Sequence, residues 1–279
     1  LANRRSFYET LTAAVKDLTE NGFDTEGRLA FWVEELRKSA EMTLTPAWKM
    51  DAMLRKGLGA IYQRMIEKGG IAKYNPGISR FTIQKLQPQL RAELDRRIMA
   101  SASLIKMNRE KAIQDTLQRF AGWSTSIPAG GTDATNKRKT KEEISKSLAQ
   151  LSFRERRVAI DQGHKFTAAL SEIIAKDEGA LAVVWHSHWR DPAYNYRKDH
   201  KERDGHVYAI KGNWALEQGL MKAGADGYYD DITHVGEEVY CRCFATYLYG
   251  LSQLPKDMLT QKGAAEVERV KAEMKKRYG

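Results

Sequence analysis

Residues 180–210, ALAVVWHSHWRDPAYNYRKDHKERDGHVYAI, decide what kind of fold this chain adopts. Leu181-Ala182-Val183-Val184-Trp185 is a short apolar run rich in β-branched and aromatic side chains, the pattern of a buried strand. Gly205-His206-Val207-Tyr208-Ala209-Ile210 reads as a second strand, and Asp204-Gly205 before it as a turn. Further on, Val239–Tyr249 (VYCRCFATYLY) has the composition of a third strand. A turn-rich insert, Gly212–Asp231, separates the last two. The chain closes on a charged helix, about Thr260–Tyr278, which ends Lys275-Lys276-Arg277.

Upstream of residue 180 the texture is helical. A first helix covers about Ser6–Glu20 and stops at Asn21-Gly22. A second starts near Thr25 and puts Leu29, Trp32, Val33, Leu36 and Ala40 on one face. A third opens at Thr45-Pro46, a cap followed by the residue best tolerated in a first turn, and closes at Gly69-Gly70. After Asn75-Pro76-Gly77 comes a long helix, about Ile83–Trp123, striped by Leu86, Leu90, Leu94, Ile98, Ala102 and Ile105. Pro88 must sit in its first turn or bend it. Such a helix serves either as an arm toward a partner or in ordinary core packing, and a stripe of this width favours packing. Ser124–Thr140 is small, polar and Gly-rich, reads as a linker, and ends in the basic run Lys137-Arg138-Lys139. Capping boxes at Thr140/Glu143 and Ser152/Glu155 mark a short helix and then a longer one ending near Gly179.

The expected fold is therefore α+β: a predominantly helical N-terminal region with long helices, a small mixed α/β domain, and a C-terminal helix. In residue numbers this is a helical region 1–123, a basic linker 124–139, the mixed domain 140–250 and a basic helix 251–279.

The 279 residues carry 46 Lys and Arg against 36 Asp and Glu, a net charge of +10. Such a surplus attracts polyanions, DNA foremost, although many basic proteins bind no nucleic acid. Lys137, Arg138, Lys139, Lys141, Lys275, Lys276 and Arg277 are the candidate DNA contacts. No run of about 18 apolar residues occurs, so a membrane span is not expected. The opening Leu1-Ala2-Asn3-Arg4-Arg5 does not resemble a signal segment, and the lack of an initiator Met implies trimming or residues upstream. Cys241 and Cys243 lie too close on the chain for an unstrained disulfide with each other, which points to a reducing compartment.

Five of the six histidines and both cysteines fall between residues 186 and 243. His200, Cys241 and Cys243 are ligand types that zinc prefers, with His186, His188, His234 or Glu238 as a possible fourth. Two sulfurs from one strand grip a single ion only if the backbone kinks. The plainer alternative makes the thiols small buried hydrophobes and the histidines surface residues, and the absence of a Cys-x-x-Cys pair weighs toward it. His186, His188, Asp199 and His200 also suit a metal-dependent nuclease or toxin-like enzyme superficially, but no second half of such a site follows on an evident helix. No Gly-x-Ser-x-Gly element, P-loop or Rossmann glycine pattern is present, so hydrolysis by a serine triad and nucleotide-driven chemistry are not expected. The aromatics crowding the C-terminal half, interleaved with Lys and Arg, suit base stacking or, more readily, a small core and a protein interface.

Trp185, then Arg197-Lys198-Asp199-His200, Asp204-Gly205 and Cys241-Arg242-Cys243 resemble, in this order, the C-terminal domain of phage head morphogenesis proteins. That family includes the Mu F-like and SPP1-type minor head proteins, and the resemblance covers about residues 140–250. Three positions depart from its pattern. Tyr240 stands where Asn is usual, Arg197 where zinc-binding variants have their first Cys, and Glu238 where some carry His. The resemblance implies a structural, non-catalytic virion protein inside the head near the portal, passing through the host cytoplasm during assembly. Its implied partners are the portal protein, scaffolding or major capsid protein, and double-stranded DNA. At His200, Cys241 and Cys243 it implies a residual metal or hydrogen-bonding cluster, with zinc as the cofactor if one is held. Arg242, between two inward thiols on an alternating strand, is expected to face the opposite side. A DNA-binding ejection protein that never touches the portal is a third reading.

Overall fold

The computed structural model describes residues 2–22, 26–127 and 137–278. Its helices are α1 (Ala2–Asn21), α2 (Glu26–Thr43), α3 (Ala47–Tyr62), α4 (Arg80–Ser124), α5 (Lys137–Ala149), α6 (Leu151–Asp177), the short α7 (Lys198–Glu202) and α8 (Trp214–Glu217), and α9 (Gln261–Tyr278). Three strands, β1 (Ala182–His186), β2 (Val207–Ala209) and β3 (Phe244–Leu248), form one antiparallel sheet in the order β2-β1-β3. The fold class is α+β, as expected. Among the described residues no helix is long and apolar enough to cross a membrane.

The chain divides into two compact units, residues 1–54 with 99–158 and residues 55–98 with 159–279. The divisions fall inside α3, α4 and α6, so they cut both the expected helical region 1–123 and the expected domain 140–250. The linker expectation needs correcting at its end. Lys137-Arg138-Lys139 forms the first turn of α5, while residues 128–136, like Thr25, lie outside the described residues. Helix α5 thus starts ahead of Thr140, and α6 starts at Leu151, so neither Thr140 nor Ser152 stands at an N-cap.

The first unit is a helical core. Phe7, Leu11, Ala14, Val15 and Leu18 recur at helical spacing on α1 and pack with Leu36 and Ala40 of α2, Ile113, Leu117 and Phe120 of α4, and Ile144 of α5. Helix α1 ends where Gly22 takes a left-handed φ of 70° and its N–H caps the Leu18 carbonyl. The Trp32 indole N–H donates to Asp17 at 2.6 Å and ties α2 to α1. Arg109 on α4 meets Glu155 on α6 at 2.5 Å and donates to the Thr45 carbonyl at 2.7 Å, which pins the α2–α3 turn.

Helix α4 begins earlier than its apolar period announces, because the Ser79 hydroxyl caps the Thr82 N–H at 3.0 Å. Pro88 therefore lies beyond the first turn, inside the helix, with no N–H to give the Gln84 carbonyl. Leu86, Leu90, Leu94, Ile98 and Ile105 are all buried, so the stripe serves the chain's own packing and not a free arm.

In the second unit β1 is the central strand, and its two faces feed two cores. Val183 and Trp185 pack with Tyr208, Tyr229, Ala245 and Tyr247 on one side. Ala182 and Val184 face Ala209, Leu248 and the residues under α8 and α9 on the other. The insert 212–231 is fastened by Asn213, whose carboxamide accepts the Ala215 and Leu216 N–H groups at 3.0 Å and donates to the Ile210 carbonyl at 2.7 Å. Helix α9 docks through Gly263. A Cβ at that residue would stand 1.8 Å from the Leu220 carbonyl oxygen.

Gly263→Ala is therefore expected to destabilise this unit by about 2 kcal/mol or more, since the obstacle is backbone and cannot yield. Gly57→Ala on α3, where nothing lies within 4 Å, is expected to gain about 0.5–1 kcal/mol. Urea unfolding of both variants checks the pair. Equal midpoints would contradict the packing described for α9.

Candidate functional site

The site forms where β1, α7 and the turn before β3 meet. Strand β1 supplies Trp185, whose carbonyl accepts the Gly205 N–H at 2.8 Å; Gly205 sits at φ 85°, which favours glycine. The neighbouring Asp204 carboxylate accepts the Ser187 N–H and the Trp189 indole N–H, both at 2.8 Å. The expected Asp-Gly turn is present, and it also fastens the chain leaving β1 to the chain entering β2.

Helix α7 carries His200, buried against the edge of Trp185 with ring centroids 5.2 Å apart. The two cysteines arrive from a turn and not from the expected strand, since β3 begins only at Phe244. Tyr240 has φ 62°, a left-handed conformation uncommon for an aromatic residue. Three contacts hold it there. Its N–H donates to the buried Asp161 carboxylate at 2.6 Å, its carbonyl accepts the Tyr194 hydroxyl at 3.1 Å, and the next peptide is set by Cys241 N–H to the Glu238 carbonyl at 3.1 Å. This is the kink that two sulfurs need to face one point. Cys241 Sγ and Cys243 Sγ lie 3.7 and 3.5 Å from His200 Nδ1.

All three ligand atoms lie within 4.8 Å of one another, and Cys241, Cys243 and His200 are 0%, 5% and 1% exposed. In a tetrahedral zinc site with Zn–S of about 2.3 Å and Zn–N of about 2.0 Å, the N-to-S edge is about 3.5 Å. The two N-to-S distances, 3.5 and 3.7 Å, lie at or just above that value. A hydrogen bond from the Cys243 thiol, joined by one from His200, holds the Cys241 thiol well below its usual range against the opposing effect of burial. The same bond, with burial, pushes Cys243 up.

The other histidines disperse. His186 Nε2 pairs with Thr246 Oγ1 at 3.0 Å while its ring stacks on Phe244, and His188 pairs with Asp191 at 3.2 Å. His206 pairs with Asp226 at 2.7 Å. Among the described residues none of His186, His188 and His234 joins a group able to hold a metal with His200; of the four residues that superficially suit a nuclease, only Asp199 and His200 come together. Of the expected fourth ligands only Glu238 comes close, 3.6 Å from His200 Nε2, on the side of the ring away from the sulfurs. Arg197 binds that carboxylate at 2.5 Å. Arg242 lies over the Tyr194 ring and 3.9 Å from Asp191.

The candidate DNA contacts fall on two units. Lys137, Arg138 and Lys139 are exposed at the start of α5, an end whose dipole disfavours cations, and Arg138 pairs with Glu142 at 3.0 Å. Lys141 donates to Thr12 at 3.1 Å. Lys275, Lys276 and Arg277 are exposed in the last turn of α9, where the dipole favours them.

Sequence reasoning missed Asp161, Tyr194 and Glu172. Glu172 on α6 pairs with His234, itself stacked on Tyr229 at 4.1 Å, and clamps the segment that leads to the cysteines. Comparison with protein-family profiles, with curated proteins and with solved structures yields no match to this chain.

The clamp has a pH signature. The bond from His234, with Lys176 behind it, lowers the Glu172 carboxyl from 4.5 to about 2, and the same bond raises His234 above 6.5. A depressed carboxyl stabilises fully above pH 4.5 and loses that contribution as pH falls toward about 2. A raised imidazole stabilises fully below pH 6.5 and loses it as pH rises through the folded value. The urea midpoint is thus expected to be highest between these limits, and His234→Gln to flatten the alkaline limb. Superimposable alkaline limbs for the two proteins would remove the clamp.

Proposed function

We propose that this chain is a bacteriophage minor head protein acting in head morphogenesis, associated with the portal inside the head and in contact with packaged DNA. The supporting observation is that the scattered elements Trp185, Arg197, His200, Asp204-Gly205 and Cys241-Arg242-Cys243, met in that order in the sequence, converge on one small cluster. A family pattern of weak short pieces gains weight when the pieces touch. Tyr240 adds to this. It stands where the family has Asn, and its φ of 62° is one that Asn adopts more readily than Tyr.

The cluster is read as architecture. A catalytic zinc keeps a position open to substrate, whereas these ligand atoms belong to residues no more than 5% exposed. Zinc held by His200 Nδ1, Cys241 and Cys243 ties α7 to the turn before β3, as a structural ion does. With the α4 stripe buried, the portal contact falls to side chains left exposed on the helices, such as Trp48, Met107 and Phe153. The basic ends of α5 and α9 are the DNA contacts.

One observation favours a different class: three protein ligands are the number found in catalytic zinc sites. On that reading the chain cleaves DNA with added Mg²⁺, Mn²⁺ or Zn²⁺, and His200→Ala abolishes the cleavage.

Co-expression with the portal protein of the same genome tests the main reading. The chain is expected to co-purify with the portal ring; retention on DNA but never on the ring would instead favour an ejection protein. Affinity for double-stranded DNA should fall steeply with salt. Replacing Lys137, Arg138 and Lys139 together is expected to lower the slope of log K against log salt by roughly 0.9 per lost phosphate contact. No binding at low salt would remove the DNA role.

A further inference from the structure

We infer that Glu238, held by Arg197, is a positioning residue that fixes His200 so that Nδ1 faces the metal and Nε2 carries the proton. The inference rests on the zinc reading above and deepens it.

An imidazole has two nitrogens, and a metal site works only if the correct one is presented. Here Nδ1 lies against both sulfurs, at 3.5 and 3.7 Å. His200 Nε2 is buried on the other side of the ring and has no hydrogen-bond partner. Its nearest carboxylates are Glu238 Oε2 at 3.6 Å and Asp199 Oδ2 at 3.8 Å.

These carboxylates with Nε2 have the spacing of a second cation site. The arginines decide against it. Arg197 Nε is 2.5 Å from the same Glu238 oxygen, and Arg203 Nη2 is 3.2 Å from the same Asp199 oxygen. A cation there would displace or face two guanidinium groups. A carboxylate so held still has lone pairs to accept an N–H, the arrangement by which an outer carboxylate orients a metal-bound histidine.

Glu238 suits that role better than Asp199, which is half exposed. Arg197 anchors Glu238 and also donates to the Val239 carbonyl at 2.9 Å, while the Glu238 carbonyl accepts the Cys241 N–H. One turn therefore delivers both a ligand sulfur and the carboxylate behind the ring. Shortening 3.6 Å to an ordinary hydrogen bond needs a shift of about 0.7 Å.

The full-length apo chain titrated with Co²⁺ tests this through the visible d–d bands and the thiolate charge-transfer band. The wild type is expected to bind one ion, and His200→Ala to lose the site. Glu238→Gln should keep the stoichiometry and the thiolate band but bind roughly 10–100-fold more weakly, while Asp199→Asn changes little. Nitrogen-15 NMR of the zinc-loaded wild type, which needs no variant to fold, should show the His200 proton on Nε2. A wild type that binds no ion overturns the zinc reading and this inference together. Tight binding by the wild type and Glu238→Gln alike overturns the positioning role and leaves the zinc reading standing, whereas a proton on Nδ1, which would bar that nitrogen from the metal, overturns both.

Discussion

The second unit depends on the burial of one imidazole. His200 is polar on two edges and flat on its faces, and burying such a group is costly unless each edge is met. Two thiols meet one edge, the Trp185 ring packs on the side chain, and the arginine-held Glu238 stands behind the other nitrogen. These partners come from two distant parts of the chain, β1 and the turn before β3. Holding the ring at its Nδ1 edge and against Trp185 therefore fixes β1, α7 and the turn before β3 relative to one another, in a unit whose sheet has three strands among the described residues.

A similar economy holds the turn itself. Left-handed backbone at Tyr240 costs on the order of 1–2 kcal/mol, and it persists because the surroundings determine it. The Asp161 carboxylate, buried on α6 and paired with Lys165 at 3.3 Å, accepts the Tyr240 N–H, so one interaction stabilises a buried charge and a strained peptide together. The Tyr194 hydroxyl bridges both sides of the turn, donating to the Tyr240 carbonyl and accepting the Arg242 N–H. These polar contacts are what bring Cys241 and Cys243 to one nitrogen, and they give the cluster its support.

Much of this was legible in the sequence wherever the signal is local. The apolar run at 181–185 lies within one residue of β1, Asp204-Gly205 is a turn, and the 86–105 stripe is a buried helix face. His200 with Cys241 and Cys243 was legible from residue type and clustering. What failed depends on distant partners. Nothing near Tyr240 announces a left-handed residue, because Asp161 imposes it from 79 residues away. Val239–Cys243 has strand composition yet forms a turn, since polar contacts to Asp161, Tyr194 and Arg197 outweigh β-propensity there. The unit divisions were not legible either, because they lie inside helices whose apolar period continues without a break.

The central claim is that residues from Trp185 to Cys243 are one architectural knot tied at His200. Hydrogen exchange on wild type and His200→Ala measures this directly. Amides of β1, of the turn before β3 and of β3 are expected to lose protection together, while α1 and α2 exchange as before. Protection lost only in α7, with β1 and β3 unchanged, would contradict it.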